Sequence, residues 1–308
     1  MSAKLLKYSI APSGIKLATF ELEYPRFILA ELNTHCMLSK NTASSRAIPI
    51  SKIIDLITDN PAMPVFWGKN QAGMTAKEEI SEDNIIKAKQ LWIELRDQAI
   101  DTARKFEELG LHKQIANRVL EPWANVKTVL TGTELANLFY LRCHKDAQPE
   151  FRVLAQEMYD ALKDSQPLLL NHGEWHLPYV ETSRDENGIL KYFDENNKEI
   201  SLEQARVLSA SCCAQVSYRK LDTNNEKAES IYSRLIESTP VHASPVEHQA
   251  TPIDFQMANS STKGITHMDK NLMLWGGKLR GWICFRHLID NESVPGFDVD
   301  LYDKEGYN

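Results

Sequence analysis

The stretch "THCMLSKNTASSRAIP", Thr34–Pro49, brings one imidazole, one guanidinium, one amide and several small hydroxyls into a short polar run. It follows the apolar segment "RFILAEL", residues 26–32. Hydroxyl, amide and guanidinium groups all donate hydrogen bonds that phosphate oxygens accept. A solvated surface loop can have the same composition, so the run by itself permits either an anion-binding site or a loop.

The segment before this run has the alternation of a strand. In residues 16–24, "KLATFELEY", apolar side chains alternate with Thr19, Glu21 and Glu23. This period of two predicts a half-buried strand, which Pro25 ends. A second β feature is expected in residues 178–201, where two turn-rich stretches flank "ILKYF" and indicate a β-hairpin.

Several later segments have the three- and four-residue apolar spacing of amphipathic helices. The longest begins at a cap formed by Asp83 or Asn84 and runs through Leu109 to Gly110. Three more are predicted: one from near Thr133, one after Asp146 with Pro149 in its first turn, and one over residues 223–238. We therefore predict an α+β fold, a single domain over residues 1–308 with an antiparallel or mixed sheet packed against long helices.

Composition excludes several classes of protein. The chain has 308 residues, a net charge of −7 and no block of Lys and Arg, so we expect no nucleic-acid partner. Five cysteines without a C-x-x-C pair indicate reduced thiols and no metal site. The N-terminal residues lack the apolar core of a signal peptide, and no apolar run is long enough to span a membrane. We expect a cytoplasmic protein, in a bacterium or a phage-infected host.

The spacing within the polar run resembles a family signature. It reads His35-x-x-x-Ser39-x-Asn41-x-x-Ser44-x-Arg46. This is similar to the R-H-R-x-x-S-x-N-x-x-S-x-R signature of the flavin-dependent thymidylate synthases, the ThyX family, with five of its seven specified positions in register.

Three other segments resemble landmarks of the same family. They are "ANRVLEPW" at 116–123, "NLFYLRCHKDAQPEF" at 137–151, and "VHASPVEH" at 241–248, which follows "CAQVSYRK" at 213–220. In the family the last of these landmarks comes before the signature, so this chain looks circularly permuted. The resemblance covers residues 16–165 and 205–252, and residues 253–308 form an extra C-terminal segment.

The resemblance implies that the chain methylates dUMP at C5, with methylenetetrahydrofolate as carbon donor and with NADPH electrons passing through FAD. It also implies a homotetramer whose active sites are shared between subunits. The residues expected at the pyrimidine nucleotide are Glu31, Ser44, Arg46, Arg118 and Arg142. Those expected at the flavin or folate are His35, Ser39, Asn41, Asn137, Ser217, His242 and Glu247. Arg142, Ser44 and His242 are the expected catalytic groups.

The sequence departs from the family pattern on the flavin side. Thr34 and Cys36 stand where the signature has arginines, and residues 131–133 read Thr-Gly-Thr where the family has Asn-x-Arg. The C-terminal "KLRGWICFR" offers replacement cations, and Arg280 is the expected cofactor-binding residue among them. A third departure is Glu31, which stands where the family has a Gln that faces the pyrimidine.

These departures leave alternatives open. Glu31 favours a related activity, such as C5 hydroxymethylation, or another pyrimidine nucleotide such as dCMP, because a carboxylate accepts from an amine but does not donate to a carbonyl. The missing arginines favour a catalytically silent nucleotide-binding relative. The segment "WGKNQAGM", residues 67–74, is either a lid over a ligand or a packed loop.

Overall fold

A five-stranded sheet forms the centre of the fold. The structure is a computed structural model that describes residues 1–217, 224–238, 240–255 and 263–293. Its strands are β1 Ser2–Ile10, β2 Lys16–Pro25, β3 Ser39–Thr42, β4 Asn125–Gly132 and β5 Leu168–Leu169. They lie in the order β3-β4-β2-β1-β5, and only the β1–β5 pair is parallel. The architecture is a mixed α+β fold, as predicted.

The strand predicted at 16–24 is β2, and it is more deeply buried than its alternation suggests. It pairs with β1 on one side and β4 on the other. Thr19, expected on the exposed face, is fully buried, and its hydroxyl lies 2.7 Å from that of Thr131. Glu21 on the same face accepts a 2.7 Å hydrogen bond from the Tyr179 hydroxyl. The predicted strand is thus confirmed, but its second face is partly covered by residues distant in sequence: Thr19 is buried, while Glu21 and Glu23 are half-buried.

Helices cover the sheet and extend beyond it. Within the described ranges they are α1 Leu29–Asn33, α2 Ile50–Asp59, α3 Glu82–Glu108, α4 Lys113–Ala116, α5 Leu135–Arg142, α6 Pro149–Lys163, α7 Leu202–Ala214 and α8 Asn225–Ile236. The helices predicted near Thr133, after Asp146 and over 223–238 are confirmed as α5, α6 and α8. Pro149 occupies the first turn of α6, where its missing N–H is harmless.

The predicted N-terminal cap of the longest helix is wrong. Ser81 is the residue before α3, and Asp83 and Asn84 both lie in its first turn. A carboxylate such as Asp83 is favourable there because it faces the positive end of the helix dipole. The C-terminal end is confirmed: Gly110, with φ of +77°, follows the helix in the left-handed conformation that favours glycine.

Small sheets complete the fold. The segment 178–201 forms three strands rather than a hairpin of two: β6 Glu181–Arg184, β7 Leu190–Phe193 and β8 Glu199–Ile200. The C-terminal part contributes β9 Ala250–Pro252, β10 His267–Met268, β11 Leu274–Gly276, β12 Leu279–Arg280 and β13 Trp282–Cys284. In this part β13 pairs with β9, and β10, β11 and β12 form an antiparallel sheet.

Separate apolar clusters hold these parts together. One packs α1, α5 and α6 against β2 and β4, and a second packs α2 and α3 against residues 116–123. A third joins α7 and α8 to β7, β9 and β13. None of the helices in the described ranges is long and apolar enough to cross a membrane.

Candidate functional site

A cavity of about 730 Å³ lies between α1, the end of α5, the start of α6 and residues 64–76. Its wall is mostly apolar, from Phe27, Pro64, Phe66, Met74, Ala76, Trp92, Pro122, Ala147 and Pro149. The charged and amide groups in it include Glu31, Arg142, Asp146, Gln148 and Glu150. This size and this mixture are typical of a small-molecule site. The loop that contains "WGKNQAGM" forms part of the wall, an outcome the sequence left open.

Arg142, at the end of α5, is held in a fixed position at this wall. Its Nε donates a 2.9 Å hydrogen bond to His35 Nε2, and its guanidinium lies 4.7 Å from the centre of the Phe151 ring. Partial burial, and then the charges of Arg142 and Lys40, lower the pKa of His35. The imidazole is therefore neutral near pH 7 and accepts at Nε2, so its role here is to orient the guanidinium.

The two glutamates of the cavity differ in their hydrogen bonding. Glu150 is buried and accepts a 2.8 Å bond from the Val65 N–H and another from the Gln148 amide. Glu31 Oε2 is shielded from solvent and has no hydrogen-bond partner among the described residues. A buried acceptor without a donor costs about 1–3 kcal/mol. Glu31 is therefore the group in this wall that gains most from a ligand donor.

The signature stretch is part of the sheet and not simply a polar loop. Residues 39–42 form β3, and Ser39 and Asn41 pair with Thr131 and Val129 of β4. The Asn41 amide donates a 2.8 Å bond to the Cys213 carbonyl at the end of α7. The structure thus brings the signature strand against the segment that resembles the family's N-terminal landmarks.

Beyond β3, one carboxylate, Glu121, links the turn after the signature strand to two arginines. Glu121 Oε1 accepts a 2.7 Å bond from the Ser45 hydroxyl and a 3.0 Å bond from Arg118. It also lies 3.2 Å from Arg26. Because Pro122, the next residue, lines the cavity, this cluster stands at the cavity edge. The sequence did not single out Glu121, and the signal that it offered was the place of this residue beside Pro122 in "RVLEPW".

The signature residues Ser44 and Arg46 lie in the same turn. The Arg46 backbone N–H donates a 3.3 Å bond to Ser44 Oγ, and the Arg46 side chain is exposed. The buried Asn117 amide holds the turn in place by donating to the carbonyls of Ser45 and Ile48, at 2.7 and 2.9 Å. Through Glu121, the structure thus brings the turn that contains Ser44 and Arg46 close to Arg118.

The C-terminal cations lie near β3 and β4, but carboxylates already engage them. Arg280 Nε donates a 2.7 Å bond to Glu134, and Arg286 lies 2.5 Å from Glu247. Lys278 Nζ lies 3.3 Å from the other oxygen of Glu247. Burial raises the pKa of Glu247, but the opposing charges of Lys278 and Arg286 outweigh it, so that the pKa is lowered. Glu247 is thus an ionised partner for these cations.

Three predicted cofactor residues are not gathered at the cavity. His242 is exposed just before the 3-10 helix Ser244–Glu247, and Asn137 is exposed on α5. The backbone of Ser217 ends a 3-10 turn, and its side chain lies outside the described part of the chain. Their assigned contacts stay predictions.

A series of buried hydrogen bonds, which the sequence did not reveal, runs across strands β1, β2 and β4. His176 lies 2.9 Å from Ser9 Oγ and 2.8 Å from Thr19 Oγ1. Thr19 leads through Thr131 to His248 Nδ1, the last step being 2.8 Å. Burial lowers the pKa of both histidines, that of His248 to about 4, so both are neutral. Among the described residues no cluster of His, Cys, Asp and Glu could hold a metal ion.

Two solved structures show a weak likeness to this chain. The UMP/dUMP methylase PolB from Streptomyces cacaoi, in a complex with 5-Br UMP, is 15% identical over 55% of this chain and 89% of that chain, with a TM-score of 0.44. The flavin-dependent thymidylate synthase ThyX from Helicobacter pylori, complexed with FAD and dUMP, is 19% identical over 48% of this chain and 68% of that chain, with a TM-score of 0.32.

No curated protein sequence matches this chain. The family model described as thymidylate synthase complementing protein matches residues 15–168, which is half of the chain and close to the predicted range 16–165. This chain therefore belongs to the thymidylate synthase complementing protein family, the ThyX family, and is an enzyme of the methyltransferase type.

Proposed function

We propose that this chain catalyses the reductive methylation of a pyrimidine deoxynucleotide at C5, with dUMP as the substrate that the family implies. Methylenetetrahydrofolate gives the carbon and NADPH the electrons: dUMP, methylenetetrahydrofolate, NADPH and a proton become dTMP, tetrahydrofolate and NADP⁺. The observation that carries the proposal is Arg142, fixed by neutral His35 at the wall of a cavity inside the matched region.

In this proposal the pyrimidine occupies the cavity beside Arg142. A guanidinium that is already oriented stabilises the negative charge that develops on the ring when C5 becomes nucleophilic. The apolar wall around Phe27 and Trp92 excludes water from the ring faces. Ser44, Arg46 and Arg118, at the cavity edge, are the proposed donors to sugar and phosphate.

The residues near β3 offer a partial replacement for the missing flavin arginines. Burial, followed by the charge of Lys278, lowers the pKa of Lys40, which shows that the two ammonium groups repel each other. They share Glu247 as the nearby carboxylate. Because Arg286 also pairs with Glu247, several cations surround one carboxylate, and this excess of positive charge favours an anion such as the FAD diphosphate. Arg280 donates a 2.7 Å bond to Glu134, whereas Lys278 lies farther from its carboxylate, at 3.3 Å, and beside Lys40, so we propose that Lys278 shares the predicted role of Arg280.

FAD, when bound, supplies the hydride that reduces the transferred carbon to a methyl group. The chain's own part is to hold it, and we propose His35, Lys40, Ser39, Asn41 and Glu247 at the signature strand for this. His242, Asn137 and Ser217 are proposed as further contacts to FAD or folate in a homo-oligomer with shared sites, because two of them are exposed.

The experiment that tests the proposal has two readouts. The first is the visible spectrum of the purified chain with added FAD, in which bound flavin is expected. The second is tritium release from dUMP labelled at C5, in the presence of methylenetetrahydrofolate and NADPH. Arg142→Ala is expected to reduce tritium release at least 100-fold. Arg104→Ala is the control, because Arg104 is an exposed residue of α3 that pairs with Asp101 at 3.5 Å.

Bound flavin without tritium release would refute dUMP methylation. A chain that binds dUMP but no FAD would instead be the silent nucleotide-binding relative, and the proposal would be abandoned.

A further inference from the structure

The wall that contains Arg142 also contains a carboxylate, Glu31, at the position where the family has the amide of a Gln. Glu31 lies on α1 and lines the wall, and its Oε2 is shielded from solvent without a donor among the described residues. Arg142, the cation of the same wall, does not donate a hydrogen bond to this oxygen, since it donates to His35 and Thr34 instead. The acceptor that remains is best satisfied by a donor on the ring that fills the cavity.

The two pyrimidines present different donors to such a group. Uracil has one ring donor on this edge, N3–H, and it stands between two carbonyl oxygens that a carboxylate repels. Cytosine has an exocyclic amine at position 4, flanked by N3 on one side and by C5–H on the other. A carboxylate that contacts position 4 accepts from the amine of cytosine and is repelled by the O4 of uracil.

The other glutamate of this wall, Glu150, has no unpaired oxygen. Glu150 lines the same cavity, but the Val65 N–H and the Gln148 amide occupy its two oxygens. Glu150 is therefore occupied by hydrogen bonds within the protein, while Glu31 keeps an unpaired acceptor oxygen.

We propose that Glu31 selects a cytosine ring, so that the pyrimidine nucleotide bound in this cavity is dCMP in preference to dUMP. The inference rests on the proposed function, since it places the pyrimidine of that reaction in the cavity, and it concerns the choice of ring alone. Glu31 is a specificity-determining residue in this sense.

An amide at position 31 behaves differently from a carboxylate. By rotating, it can donate to O4 of uracil while accepting from N3–H, or accept from the cytosine amine while donating to N3. Glu31→Gln should therefore relax the preference mainly by improving the binding of dUMP. Since a hydrogen bond to a charged group is stronger than one between neutral groups, we expect the wild-type chain to bind dCMP at least tenfold more tightly than dUMP.

The test is calorimetric titration of the full chain with dCMP and with dUMP, without cosubstrates. The ratio of the two dissociation constants is expected to fall at least fivefold in Glu31→Gln. Glu150→Gln is the matched control: any loss of affinity should be equal for both nucleotides and leave the ratio unchanged. Circular dichroism and thermal melting of each variant verify that the fold is kept.

Tighter binding of dUMP by the wild type, an unchanged ratio in Glu31→Gln, or no binding of either nucleotide would overturn the inference. Its failure is distinguishable from that of the proposed function. A chain that methylates dUMP and does not bind dCMP contradicts the inference alone. A chain that binds dCMP and holds no flavin contradicts the proposed function alone.

Discussion

Acidification should destabilise this protein well above the pH at which carboxylates titrate, because the histidines that cross the sheet are buried in neutral form. The pKa of His248 is lowered from its ordinary 6.5 to about 4, mainly by burial; the charge of Glu247 opposes this shift and the charge of Lys278 adds to it. The unfolded chain takes up a proton at this residue as the pH falls through 6.5, whereas the folded chain does so only near pH 4. Stability is therefore fully present above pH 6.5 and is lost as the pH falls.

The size of the effect follows from the pKa difference. The fall from 6.5 to about 4 corresponds to about 3 kcal/mol of folding free energy, lost at about 1.4 kcal/mol per pH unit. His176 acts in the same direction, because burial and then the charge of Lys7 lower its pKa well below 6.5. Glutamates whose pKa is lowered, such as Glu247, titrate below their ordinary 4.5. The window from pH 6.5 to 4.5 thus reports on the histidines.

The assay is urea denaturation at several pH values within this window. The variant His248→Gln keeps an amide that can bond to Thr131. As the pH falls, the free energy of unfolding should decrease less steeply in this variant than in the wild type. The difference between the two slopes should be about 1.4 kcal/mol per pH unit. His144→Gln, at an exposed position, is the control and should keep the wild-type slope. Equal slopes in His248→Gln and the wild type would refute the assignment of a buried neutral imidazole.

Other substitutions test the site and the sheet. Arg142→Lys keeps the charge but loses the Nε donor and the planar contact, so it should raise the KM for the nucleotide about tenfold; an unchanged KM would remove Arg142 from the substrate wall. Lys278→Ala should weaken FAD binding about 3- to 10-fold in a spectroscopic titration, more at low salt than at high salt. Gly132→Ala should lower the free energy of unfolding by about 1–3 kcal/mol, because a Cβ there would meet buried Leu38; a melting temperature equal to that of the wild type would contradict this packing.

Local patterns in the sequence predicted many elements correctly. Apolar spacing and end signals located α3, α5, α6 and α8, with Pro149 and Gly110 at the expected ends. These signals work because capping and amphipathic spacing are decided within a few residues of the chain. The same patterns located β2 but did not predict the burial of Thr19 on its second face, and they did not identify residues 39–42 as the strand β3. The contacts that decide both come from residues about a hundred positions away.

The sequence by itself determined the family, because five signature positions and further landmarks match the family pattern in residue type and in spacing along the chain. It also identified Arg142 and Glu31 as candidates. The tertiary structure alone decided that Glu121 gathers Arg118 and Ser45, and that Glu31 keeps an unpaired oxygen while Glu150 does not. The physical reason is that the pairing of a charged side chain depends on which distant segments the fold brings within about 3 Å, and no local pattern encodes that distance.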